Sequence, residues 1–74
     1  MSENYNASVI AKLLTILDTK DLSDYLKDQV LGFLCILTDE NTTEEKKYFT
    51  QILAEDLISN TRDLPDIKTV NKIK

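Results

Sequence analysis

Apolar and polar residues alternate along this chain with a helical period. From Asn6 to Thr19, Val9, Ile10, Leu13, Leu14, Ile16 and Leu17 recur at the spacing of one helix face, leaving Lys12, Thr15 and Asp18 opposite. The spacing predicts a helix over about 7–19, with Asn6 or Ser8 supplying the N-cap oxygen. A second stripe, Leu22, Tyr25, Leu26, Val30, Phe33 and Leu37, predicts a helix over about 22–38. Its back is charged at first (Asp24, Lys27, Asp28) and then turns apolar, with Leu31, Leu34 and Cys35. A helix segment that is apolar all round needs cover all round.

The third helix is announced by its start. Thr42 followed by Glu45 matches a capping box, in which hydroxyl and carboxylate each meet the other residue's backbone N–H. Glu44 and Glu45 suit the positive end of a helix dipole. The helix is expected over about 43–59, with Asn60 as a left-handed C-cap. Phe49, Ile52, Leu53 and Leu57 form its expected core face, with Tyr48 at the border and Asp56 an acid inside the stripe. An acid there is expected at the edge, reaching water, or else paired with Arg62 or a tail Lys.

These elements predict an all-α fold, a three-helix antiparallel bundle over residues 1–61. Residues 62–74 form a basic, partly apolar tail. Asp63 and Pro65 suit the start of a short fourth helix with Leu64, Ile67 and Val70 along one face and Ile73 extending it. So short a helix forms only by docking. Otherwise the tail is an exposed arm.

One Gly and one Pro in 74 residues favour long helices over many strands. Gly32, inside the second helix, is read as a tolerated glycine, with a close helix crossing as the sharper reading. The single Cys excludes an internal disulfide, and no His is present. That composition argues against zinc sites, haem ligation and His-dependent nucleophilic catalysis. Cys35, among apolar neighbours, is expected to be a buried, inert thiol.

Residues 1–61 hold five Lys against eleven acids, a net −6, while residues 62–74 carry net +2. An acidic body disfavours nucleic acid as a partner. No start resembling a signal peptide and no run of about 20 apolar residues is present, so the cytoplasm is the expected compartment and no membrane partner is expected. Eight Lys against one Arg, with many Asn, Ile and Thr, suits AT-rich coding such as phage or mobile-element genomes use.

Apparent chemical motifs dissolve on inspection. The stretch from Asp39 has oxygen side chains at positions 1, 3 and 5, as an EF-hand does, but puts Glu44 where the loop needs Gly and Thr50 where it needs a bidentate Glu. Asp18, Asp21 and Asp24 read as turn and cap residues. One glycine builds no phosphate loop. Tyr5, Tyr25 and Tyr48 are expected at core borders rather than as base-stacking platforms.

No catalytic residue, cofactor or metal site is therefore expected. The expected function is a small non-enzymatic protein–protein interaction module, an adaptor or an inhibitor and regulator that occupies a partner's surface. Its contact residues are expected on the back of the second helix (Leu31, Leu34, Cys35) and the tail (Arg62, Ile67, Lys68, Val70, Lys72, Ile73). The alternative is a structural homodimer that buries the same back face. A lower alternative is a DNA-binding regulator using Arg62, Lys68, Lys72 and Lys74.

Overall fold

The computed structural model describes residues 2–67, with side chains from Tyr5 onward. Three helices, α1 (Ser2–Thr19), α2 (Asp24–Thr38) and α3 (Glu44–Asn60), each pack against the other two. The fold is the expected all-α three-helix bundle. Its connections are short, so successive helices run antiparallel.

Each helix end has a local cause. Ser23 caps α2, its hydroxyl oxygen accepting from the N–H of Leu26 at 3.2 Å. Asp39 closes the same helix by donating its backbone N–H to the Cys35 carbonyl, and its Oδ1 then accepts from the Asn41 N–H at 2.9 Å. That side-chain turn reverses the chain into α3. Thr43, rather than Thr42, caps α3, accepting from Lys46 N–H at 3.2 Å, so the expected Thr42–Glu45 box does not form: the residue three after the cap is Lys46, which has no carboxylate to return. The register is ambiguous from sequence because two threonines precede two glutamates. At the other end Asn60 remains helical and Thr61 is the C-cap, with right-handed φ −88° and ψ −3°. No left-handed cap forms because the chain turns on directly: Leu64 N–H donates to Thr61 O at 3.1 Å.

The α1 helix starts well before the expected position, which places Asn6 inside it rather than at its cap. The Asn6 side chain does tertiary work instead. Its Nδ2 donates to Leu37 O of α2 at 3.0 Å, and its Oδ1 accepts from Gln51 Nε2 of α3 at 3.0 Å. One polar relay thus joins all three helices and satisfies a carbonyl in the last turn of α2, which has no partner within its own helix.

The core consists of Val9, Leu13 and Ile16 from α1, Leu22, Val30 and Leu37 from α2 and its entry, and Ala54 and Leu57 from α3. Half-buried Ile10, Leu17, Leu26, Phe33, Leu34, Ile58 and Leu64 pack around it. Tyr5, Tyr25 and Tyr48 lie farther out than expected and are exposed.

The segment after α3 is not a free arm as far as Ile67. It crosses the end of the bundle: Asp21 N–H donates to Pro65 O at 2.9 Å, and Lys20 Nζ reaches Leu64 O at 3.2 Å and Asp66 Oδ1 at 3.0 Å. Asp63 sits in the turn after Thr61 instead of capping a helix, because Leu64 is drawn onto the core.

Candidate interaction surface

The largest departure from expectation lies in α3. Its buried positions are Thr50, Gln51, Ala54 and Leu57, whereas Phe49, Ile52 and Leu53 are exposed. The expected core face is turned to the outside, and only Leu57 of that set reaches the core. Small Ala54, fully buried, lets α3 close onto its neighbours, while Gln51 enters the polar relay to Asn6. Lys12 Nζ of α1 meets Glu55 Oε1 at 3.5 Å and holds the other edge of α3. Asp56 is exposed, the edge position expected of it. Its place within the Phe49–Ile52–Leu53 stripe was the sequence signal that this stripe faces water, since unpaired acids are seldom buried.

The outward side of α3 continues onto α2. Phe33 and Ile36 of α2 line a shallow groove with Phe49 and Leu53 of α3, with Glu45 and Lys46 at its mouth. Beyond Ile36 the α2 side of this face carries Gly32 and Tyr25, whose hydroxyl accepts from Gln29 Nε2 at 3.1 Å. A side chain built at Gly32 would meet nothing within 4 Å. Tyr48 and Phe49 pack edge to face at a centroid distance of 5.9 Å. Tyr25, Tyr48, Phe49, Ile52 and Leu53 are 47–69% exposed. Phe49 and Leu53 adjoin this groove, whereas Tyr48 lies with Gln51 on the α1 side of α3, and Tyr5, Leu14 and Leu31 are exposed elsewhere on the bundle.

The contact set expected from the sequence is not gathered into one surface. Leu31 and Cys35 are exposed, so the thiol is not buried as expected, while Leu34 packs against the core. Sequence neighbours do not bury Cys35, because Leu34 and Leu37 turn inward on the helix and Cys35 turns away. Arg62 is exposed at the end of α3, and Ile67 borders a recess with Asp18, Thr19 and Asp66. Lys68, Val70, Lys72 and Ile73 lie outside the described residues.

Among the described residues no group of three or more His, Cys, Asp or Glu side chains is placed to hold a metal ion. No helix of the described residues is long and apolar enough to cross a membrane. No protein-family model, curated protein or solved structure matches the chain.

Proposed function

We propose that this chain is a small non-enzymatic interaction module, an adaptor or regulator, whose contacting surface is the α2–α3 face. The observation that carries this reading is the orientation of α3. Its largest apolar residues, Phe49, Ile52 and Leu53, face outward while Thr50 and Gln51 are inside. Exposed aromatic and aliphatic side chains on a rigid helical surface are the usual anchors of protein contacts. The absence of His from the whole sequence supports the non-catalytic part of the reading.

A photo-crosslinking amino acid at Leu53 of the full-length chain, expressed in cells, tests it. One adduct of discrete mass is expected from Leu53, none from the same probe at exposed Thr15, and loss of the Leu53 adduct on Phe49→Glu. Equal labelling from both positions overturns the assignment of this face.

A further inference from the structure

We infer that residues 62–66 form a latch that opens and closes on the folded bundle, with Lys20 as its catch. Closed, the latch straps the end of α3 to the turn between α1 and α2. Open, it leaves that turn while all three helices stay in place. This holds independently of what the α2–α3 face contacts.

The helices are complete without the strap. At the end of α3, Thr61 is only 1% exposed; its N–H donates to the Leu57 and Ile58 carbonyls and its hydroxyl to Ile58 O at 2.8 Å. The α1 helix is closed by Lys20 N–H on Ile16 O at 2.9 Å, and α2 is started by its own Ser23 cap. Opening therefore breaks no hydrogen bond within a helix. Buried Thr61 stays with α3 as the fixed side of the hinge.

What holds the strap down is sparse and mostly polar. Of residues 62–66 only Leu64 packs against the core, half-buried, and the other four are exposed. An isolated antiparallel bridge pairs Lys20 with Asp66, and Asp21 N–H donates across it to Pro65 O at 2.9 Å. The other two polar contacts both come from Lys20 Nζ, to Leu64 O and to Asp66 Oδ1. The Lys20 side chain is 23% exposed against 52% for Asp66, so the catch is the sheltered partner and the strap comes to it.

An ion pair this open to water adds little, and one half-buried leucine adds less than a core residue. Ordering five residues of chain opposes both. Segments with so few buried contacts open at a small fraction of the free energy of global unfolding. Salt favours the open state, because it screens the Lys20–Asp66 pair. Opening changes one end of the molecule only: Leu64 leaves the core and the Lys20 ammonium is freed.

The test is amide hydrogen exchange in the full chain, followed by NMR. The Asp21 N–H reports closure, since its acceptor is Pro65 O on the strap. It is expected to exchange more slowly than in a free peptide, yet about a hundredfold faster than the Val30 and Ala54 amides after correction for intrinsic rates. Lys20→Met should speed Asp21 exchange about tenfold, and about 0.5 M salt about threefold, with Val30 and Ala54 unchanged. In the opposite direction, Lys20→Cys with Asp66→Cys places two thiols across the bridge, at a spacing a disulfide can span. With Cys35→Ser removing the native thiol, oxidation should slow Asp21 exchange about tenfold and reductant should restore it.

Two results would overturn the latch. If Asp21 exchanges at the rate of Val30 and Ala54, and Lys20→Met accelerates all three alike, the strap opens only when the whole bundle unfolds. If Asp21 exchanges as fast as in a free peptide, the strap does not close.

Discussion

The α1 and α3 helices carry equally legible apolar stripes, and the bundle uses them in opposite ways. In α1 the stripe turns mostly inward: Val9, Leu13 and Ile16 are buried, with Ile10 and Leu17 packed beside them, while Leu14 at its border is 53% exposed. In α3 the stripe turns outward, and the core receives Ala54, Leu57 and the polar pair Thr50 and Gln51. The difference lies in how many apolar arcs each helix offers. Opposite its stripe α1 has polar Lys12, Thr15 and Asp18, so one orientation dominates. By contrast α3 has a second arc through Ala54, Leu57 and Ile58, and a helix apolar on two sides can bury only one against a two-helix partner. Close packing and the Gln51–Asn6 hydrogen bond favour the arc with the smaller residues.

Substitutions on the two helices should therefore diverge sharply. Leu13→Ala, at a position with no exposure, should destabilise by about 2–5 kcal/mol in denaturant unfolding, through lost burial and the cavity left behind. Gln51→Ala should follow at about 1–3 kcal/mol, because it breaks the relay and leaves the Asn6 oxygen short of a donor. A conventional surface glutamine would tolerate that change, so an unaltered transition midpoint would refute the inward orientation of α3.

Capping and backbone effects come next. Thr43→Ala should cost about 1 kcal/mol, and Thr42→Ala, one residue before the cap, measurably less. Reversal of that order would restore the Thr42–Glu45 box. Gly32→Ala should stabilise by up to about 1 kcal/mol, as thermal melting would register. Smallest of all, Leu53→Gln should change stability by no more than about 0.5 kcal/mol. A loss near that of Leu13→Ala would mean that α3 faces the core in the orientation its stripe first suggests.

The tail teaches a related lesson. Its residues Leu64 to Asp66 look like the start of a short helix, yet they cross to the α1–α2 turn and pair with Lys20 and Asp21. Nothing local marks Lys20 as their partner, because the two segments are more than forty positions apart. The same holds for Asn6, legible as a helix cap and used instead as a bridge between helices. Of the proposed interaction surface, the individual residues were visible: Phe49, Ile52 and Leu53 form an obvious cluster, and Asp56 among them was a sign of exposure. Their junction with Phe33 and Ile36 was not.

By itself the sequence determined the three helices, their short antiparallel connections, most of the inward face of α1 and the absence of strands among the described residues. Those features follow from the period of apolar residues and from backbone hydrogen bonding within a few positions. Only the tertiary structure decided which arc of α3 is buried, which threonine caps it, that Cys35 is exposed, and that Pro65 docks beside Asp21. Such choices compare two nearly equal local options. They are settled by packing volume and by hydrogen bonds between distant residues, which no local pattern contains.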